Sequence, residues 1–334
     1  MISLAIESSC DETSVALLSG GRTILANVIS TQIETHALYG GVVPEIASRQ
    51  HLEAINRILA LALEEAGLGI EAVELVSVTR GPGLIGALLV GISAAKAIAF
   101  ARDLPLVGVN HMEGHICANY LSDPDLTPPF ITLVVSGGHT YLCKVRDYTD
   151  YEVVGRTVDD AAGESFDKVS RVLGMGYPGG PKIQQLAEDG RPGALHFPRA
   201  MMKKEDGYDF SFSGLKTAVI NYCHQQDQLG RSYRKADVAR GFQDAVIDVL
   251  TQKSIRLLEE SGFSDFCLSG GVAANGPLRS ALQAACQERG IRFHVPSPTL
   301  CTDNAAMIGS AGYYHFKYRG PSDLAFPAEP NLGL

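Results

Sequence analysis

Apolar and polar positions alternate in blocks that predict strands first and helices second. Residues 2–6, 13–18 and 24–29 are short β-rich apolar runs divided by polar turns, the pattern of a three-stranded meander. The same order returns about 128 residues later in residues 130–135, 139–145 and 151–157. This predicts a duplicated domain opening on a β-meander, at a period far beyond that of solenoid repeats. Between and after the meanders the period changes to that of helices. Leu52, Ile55, Leu59 and Leu63 recur three or four apart and predict an amphipathic helix over residues 44–66. A Gly- and Pro-rich loop, 80–86, leads into a second helix, 87–101, whose Ala and Gly content permits close approach to this chain's own sheet or to a partner helix. Strand-like runs at 104–109 and 291–295 each precede a helix-like run, and a helix over 159–173 carries Asp160, Glu164, Asp167, Lys168 and Arg171 on one polar side. The expected fold is α/β, with two similar lobes facing each other across a cleft. The expected division is 1–118 plus 304–334 for lobe one and 119–303 for lobe two, with Asp303 at its end.

Length and composition fit two lobes: 334 residues, 46% hydrophobic, give each its own core. The net charge of -9 argues against a freestanding nucleic-acid binder held by a global positive field. The charge is uneven, however. Ten Lys or Arg against seven Asp or Glu between 181 and 240 give that stretch +3 and leave -12 elsewhere, so a polyanion should approach there. Arg199, Lys203, Lys204, Lys216, Arg231, Arg234 and Lys235 are the phosphate-contact candidates. The seven cysteines form no C-x-x-C pair and are odd in number, which indicates neither a disulfide framework nor a zinc knuckle and fits a reducing compartment. The N-terminal residues include Glu7, Asp11 and Glu12 and lack the basic start of a signal peptide. The most membrane-like run, 85–100, is interrupted by Lys96, closed by Arg102 and Asp103, and expected to be too short to span a bilayer. The expected location is the cytoplasm, with no membrane contact.

Candidate chemistry concentrates at strand-to-helix junctions. In Asn110-His111-Met112-Glu113-Gly114-His115, helical advance of about 100° per residue brings His111 and His115 to within about 40° on one face. Asn110 is placed to cap that helix. Asp303 opens the other junction and would add an oxygen to two nitrogens, leaving positions open for water or substrate as in catalytic sites. One divalent transition metal, Fe2+ first and Zn2+ second, suits that donor set. Packed histidines and a helix-start carboxylate are the plainer explanations of the parts taken singly. An H-E-x-x-H peptidase is disfavoured, because Glu113 lies about 200° around the helix from His111 and points away from the metal face. In the second meander, Ser136, Gly137 and Gly138 can turn backbone N–H groups onto phosphate or carboxylate oxygens. Asp167 could reach a ribose, the Gly176–Pro181 loop must turn sharply, and Asn275, following Gly270 and Gly271, offers donor and acceptor to a nucleotide.

Six segments together, Glu7-Ser8-Ser9-Cys10-Asp11-Glu12-Thr13, Tyr39-Gly40-Gly41-Val42-Val43-Pro44-Glu45, His111-Met112-Glu113-Gly114-His115, Val135-Ser136-Gly137-Gly138-His139-Thr140, Phe210-Ser211-Phe212-Ser213-Gly214-Leu215-Lys216-Thr217 and Cys301-Thr302-Asp303-Asn304, resemble the bacterial tRNA threonylcarbamoyladenosine transferase family, once called glycoprotein endopeptidases. The resemblance spans nearly the whole chain. It implies the actin, sugar-kinase and heat-shock-ATPase fold of two duplicated ribonuclease-H-like lobes, and transfer of threonylcarbamoyl from threonylcarbamoyl-AMP to N6 of adenosine 37 in tRNAs reading codons that begin with adenine. It places the metal on His111, His115 and Asp303, and ligand contacts on Val134, Val135, Ser136, Gly137, Gly138, Asp167, Gly180 and Asn275. The partners it implies are tRNA, an inactive paralogue of similar fold docking on the helices at 44–66 and 87–101, and a small P-loop ATPase. No general base is obvious; Asp11 and Glu12 are the catalytic candidates. The competing class is an actin-like ATPase or kinase, which would want carboxylates at both phosphate hairpins to organise Mg2+, whereas the second hairpin has none.

Overall fold

The computed structural model describes residues Met1–Leu334. The chain divides into two compact units, one of Met1–Pro128, Arg146–Tyr151 and Pro296–Leu334, the other of Pro129–Val145 and Glu152–Val295.

In the first unit the elements run β1 (Ile2–Glu7), β2 (Glu12–Ser19), β3 (Thr23–Thr31), α1 (Ile33–Ala37), α2 (Pro44–Ala66), β4 (Leu75–Gly81), α3 (Ile85–Arg102), β5 (Leu106–Asn110) and α4 (His111–Ser122). The sheet order is β3-β2-β1-β4-β5. The meander β1–β2–β3 is antiparallel, whereas β4 and β5 are parallel to β1, each reached over a helix. In the second unit β6 (Phe130–Val135), β7 (Thr140–Asp147) and β8 (Asp150–Arg156) precede α5 (Ala162–Val172), α6 (Gly179–Glu188), α7 (Ser213–Gln228) and α8 (Lys235–Ser261), then β9 (Asp265–Ser269), α9 (Gly276–Gln287) and β10 (Arg292–His294). Its sheet order is β10-β9-β6-β7-β8, with β9 parallel to β6 and β10 parallel to β9. Counted within its own unit, each sheet therefore has the order third-second-first-fourth-fifth. The duplication expected from the two meanders is real and extends to the parallel strands that follow them.

The chain then returns to the first unit in α10 (Pro298–Cys301) and α11 (Ala305–Arg319). Residues 119–128, 146–151 and 296–303, expected in lobe two, thus group with the first unit. For the first and last of these stretches the reason is local: α4 continues to Ser122, whose hydroxyl accepts from the Ser297 N–H at 3.2 Å.

The first core lies under α2 and α3, where Ile55, Ile58, Leu88, Ile92 and Ala95 meet Leu4, Ile6, Leu17, Val76 and Val78. Burying such side chains contributes about 1.5–3 kcal/mol each. α3 corrects one expectation: it is a continuous helix of 18 residues with mean hydropathy 1.6, which by length and composition is enough to cross a membrane. Lys96 does not interrupt it, because its ammonium donates to Phe326 O at 2.7 Å and sits 4.6 Å from the centre of the Phe326 ring. Its inner face is spent on this unit's own sheet, with Gly91 against Ser8 and Ile6. In the second unit α8 is buried on most sides, which removes the one-sided apolar stripe that would have marked it in the sequence.

A candidate metal centre and a cluster of backbone loops

Each half of the His-His-Asp group is set by an asparagine cap. Asn110 Oδ1 accepts from Met112 N–H at 2.8 Å, so α4 begins at His111 and presents His115 one turn later. Asn304 Oδ1 accepts from Met307 N–H at 3.1 Å, which starts α11 and leaves Asp303 just ahead of it. α4 and α11 approach closely because residue 114 has no side chain: a Cβ there would lie 2.7 Å from Ile308 Cδ1. The result is that Asp303 Oδ1 stands 3.3 Å from Nε2 of His111 and 3.3 Å from Nε2 of His115. An ion holding N and O ligands tetrahedrally at about 2.0–2.1 Å spaces them about 3.4 Å apart. The spacing fits. So does the state of His115, which is fully buried yet makes no hydrogen bond from either ring nitrogen, an arrangement that costs free energy unless something else satisfies it. The three residues form a group able to hold a metal ion. The Asp303 side chain keeps 23% of its surface exposed against 7% and 0% for the histidines, so solvent reaches the group from the carboxylate side.

Electrostatics reinforce the grouping. Burial pushes Asp303 up, but the imidazoles of His111 and His115, each with Nε2 3.3 Å from its Oδ1, outweigh it and hold the carboxyl well below its ordinary range. His111 is raised well above 6.5, since Asp303 and Glu7 more than offset its burial. His115 is lowered, chiefly by burial. Glu113 is outside the group: burial raises it to about 7, with Arg319 as its opposing charge. That agrees with the helical argument against an H-E-x-x-H peptidase.

Asp11 and Glu12 lie in the β1–β2 turn of the same unit. Asp11 is buried, and Glu12, which accepts from the Thr31 hydroxyl at 3.1 Å, is pushed well above the usual carboxylate value by burial, by Asp303 and by Asp11. Behind this turn, His51 bridges Thr13 Oγ1 at 2.7 Å and the Cys10 carbonyl at 2.9 Å. Glu7, Ser9, Thr79 and His51 were not singled out from the sequence. The parallel register Ile6↔Val78 and Thr79↔Val109 is what brings Glu7, Thr79 and His111 side by side at the ends of three adjacent strands.

In the second unit the expected ligand loops are tied into one cluster by packing. Val134 and Val135 are buried in β6, and Ser136 closes a tight turn, its N–H donating to His139 O at 2.8 Å and its hydroxyl accepting from His139 N–H at 3.1 Å. Gly163, at the start of α5, must be small because a Cβ would come within 2.5 Å of Ser136 O. Gly270, after β9, packs on the Val135 backbone, and Asp167 Oδ1 accepts from Gly179 N–H at 2.6 Å. Space remains open around Gly137, Gly138 and Gly180. α5 and α6 begin without an N-cap side chain, yet the first N–H of each is taken, Ala162's by Thr140 Oγ1 at 3.1 Å and Gly179's by Asp167, so what the two starts can offer begins one residue later, at Gly163 and Gly180. Asn275 differs from expectation in what its amide does: Oδ1 caps α9 through Leu278 N–H at 2.9 Å and Nδ2 donates to Gln243 Oε1 at 3.1 Å.

The basic stretch is also more committed than its composition suggests. Arg199 pairs with Asp248 and Lys216 with Asp160, both at 2.6 Å. Arg234 donates to Asp189 O at 2.9 Å and Lys235 to Leu173 O at 2.8 Å. Lys203, Lys204 and Arg231 are exposed.

Comparison with known proteins places these features in a family. The TsaD pattern, described as tRNA N6-adenosine threonylcarbamoyltransferase, matches residues 23–310. The chain is 52% identical over 334 residues to the tRNA N6-adenosine threonylcarbamoyltransferase of Clostridioides difficile strain 630, spanning 100% of this chain and 98% of that protein. It is 52% identical over 333 residues to the Clostridium beijerinckii protein of the same name, with the same coverage. Among solved structures, full-length HypF in the phosphate- and nucleotide-bound form superposes with a TM-score of 0.64 at 15% identity, over 96% of this chain and 47% of HypF. This chain thus spans about half of that protein. Component A of the Acidaminococcus fermentans (R)-2-hydroxyglutaryl-CoA dehydratase superposes with a TM-score of 0.56 at 15% identity, over 95% of this chain and 98% of that one. These distant structures share the fold, the actin-like α/β architecture that the family resemblance implied. Matched end to end at half identity, the chain belongs to the TsaD family of tRNA N6-adenosine threonylcarbamoyltransferases.

Proposed function

We propose that this chain transfers the threonylcarbamoyl group of threonylcarbamoyl-AMP to N6 of adenosine 37 in tRNAs reading codons that begin with adenine, and that His111, His115 and Asp303 hold one divalent transition metal, Fe2+ or Zn2+, for that purpose. The observation that carries the reading is full-length identity of 52% to relatives bearing that name, in a chain whose His-His-Asp group keeps ligand spacing. A bound ion would supply Lewis-acid polarisation of the transferred group.

The protein's own residues have separable tasks. Gly137 and Gly138 of the turn, with Gly163 and Gly180 in the first turns of α5 and α6, offer N–H groups to the oxygens of the AMP leaving group. Asp167, Gly180 and Asn275 support the nucleoside, with Val134 and Val135 fixing the strand from which the turn springs. In the transfer, the N6–carbonyl bond forms, the bond from that carbonyl carbon to the phosphate oxygen breaks with its electron pair leaving on AMP, and one N6 proton is lost. Asp11 and Glu12, in the β1–β2 turn of the unit that carries the His-His-Asp group, are the carboxylates assigned to accept it. The phosphoryl-transfer alternative is not supported: the second hairpin, Ser136 to His139, carries no carboxylate.

Charge and surface support the partners that the family resemblance implies. A chain of net charge -9 needs positive surface from elsewhere to hold tRNA, and an inactive paralogue and a small P-loop ATPase fill that role in this reading. Leu52, Ile85, Leu89 and Phe100, exposed on α2 and α3, support docking of the paralogue there. The reaction is cytoplasmic in this reading. A single-turnover assay with threonylcarbamoyl-AMP, tRNA and the partners tests it: nucleoside mass spectrometry should show modified adenosine at position 37, and its absence with active partners overturns the assignment.

A further inference from the structure

The two histidines of the metal group are held very differently. His115 has no hydrogen-bond partner on either nitrogen. His111, by contrast, has Glu7 Oε2 at 3.1 Å and Ser9 Oγ at 3.2 Å from its Nδ1, on the ring edge opposite the Nε2 that faces Asp303. Glu7 is the last residue of β1 and is wholly buried. Its Oε1 accepts from the Ser9 backbone N–H at 2.5 Å, and its Oε2 accepts from the Thr79 hydroxyl as well as facing His111. A carboxylate has acceptors only, whereas the Ser9 hydroxyl can either donate or accept and so cannot choose between the forms of the ring. Every group arranged around Glu7 is a donor when His111 carries its proton on Nδ1, which leaves the Nε2 lone pair directed at the ligand position.

We infer that Glu7 is a positioning residue that fixes His111 in the Nδ1–H tautomer and thereby makes its Nε2 a metal ligand. This rests on the reading of His111, His115 and Asp303 as a metal centre. Carboxylates behind ligating histidines act in this way generally, and their loss typically costs 10–100-fold in metal affinity.

The isosteric change Glu7→Gln isolates the effect. An amide has one acceptor oxygen, and the Ser9 backbone N–H, which cannot turn away, claims it. The amide nitrogen then faces Thr79 and His111. The Thr79 hydroxyl can rotate to accept, but His111 Nδ1 can accept only by moving its proton to Nε2, where the ion must bind. The experiment is Zn(II) affinity by chelator competition on the full chain, for wild type, Glu7→Gln and His111→Ala, together with 15N-resolved imidazole spectra of the Zn-loaded wild type. The expected result is a fall of roughly 10–100-fold for Glu7→Gln, and a wild-type His111 signal with a protonated Nδ1 and a ligated Nε2. Affinity within about threefold of wild type, with His111→Ala abolishing binding, overturns the role of Glu7 and leaves the metal centre standing. Wild-type protein that binds no zinc, or His111→Ala that binds it undiminished, overturns the metal centre and this inference with it. If Glu7→Gln does not fold, the wild-type spectrum decides: a proton on Nε2, or ligation through Nδ1, refutes the proposal.

Discussion

The His-His-Asp group of the first unit and the loop cluster of the second are both ligand sites in our reading, yet they are built on opposite principles. The first site leaves side-chain atoms unsatisfied: His115 is sealed and makes no hydrogen bond, and Asp303 sits between two imidazoles. The second site uses its side chains internally. Asn275 caps a helix and holds Gln243, Asp167 fixes Gly179, and Ser136 closes its own turn. What that cluster can still offer is backbone N–H groups and open space over glycines. Side-chain substitutions should therefore be all-or-none at the first site and graded at the second.

The largest effect is expected from His111→Ala or Asp303→Ala, which should lower metal affinity on the order of 100-fold or more and leave little metal in purified protein by elemental analysis. Undiminished metal in the double variant would erase the contrast by making the first site merely structural. Next comes Gly163→Val, whose side chain has no room beside the Ser136 carbonyl. It should destabilise the chain by about 1–3 kcal/mol in chemical denaturation and weaken AMP binding, with metal content unchanged.

A third effect belongs to pH. Glu113 is raised to about 7 from 4.5, so between those values the folded state binds more protons than the unfolded chain and stability falls as pH rises. Glu113→Gln should remove that slope and gain about 1–2 kcal/mol at pH 8, allowing for solvent at its partly exposed edge. An unchanged slope in denaturation between pH 5 and 8 would show that the carboxyl ionises freely. The smallest effect sharpens the comparison most. Asn275→Ala removes an N-cap, which costs about 1 kcal/mol, and calorimetric titration with AMP should show affinity falling only a few-fold. A loss comparable to that of metal in His111→Ala would mean that the amide contacts ligand directly.

Much of this was legible in the sequence, and what was hidden shares a cause. The meander repeat, the helix at Pro44–Ala66, the Asn110 cap and the one-face spacing of His111 and His115 are all local, set by periodicities that a chain displays in one dimension. Glu7 was invisible because its proximity to His111 comes from the parallel register of β1, β4 and β5, which no local period encodes. The second partner of Asn275 was hidden for a related reason: an asparagine before a helix advertises donor and acceptor, but only the fold shows Gln243 waiting on the other side. The basic stretch lost much of its apparent charge to partners such as Asp248 and Asp160, the first 49 and the second 56 residues away.

The discontinuity of the first unit has a consequence for how the protein is made. Leu18 and Ser77 belong to a sheet whose strands end by Asn110, but the helix that covers them, with Gly309 and Gly312 against those very residues, arrives only in α11. Asp303 enters with it. The stretch that forms most of the second unit, Glu152–Val295, is synthesised before that cover exists. The N-terminal strands must therefore wait, with one apolar face exposed, while the middle of the chain folds past them, and they need protection from wrong pairing during that interval. The His-His-Asp group is then also a record of completion, since its third member is delivered by the segment that closes the sheet.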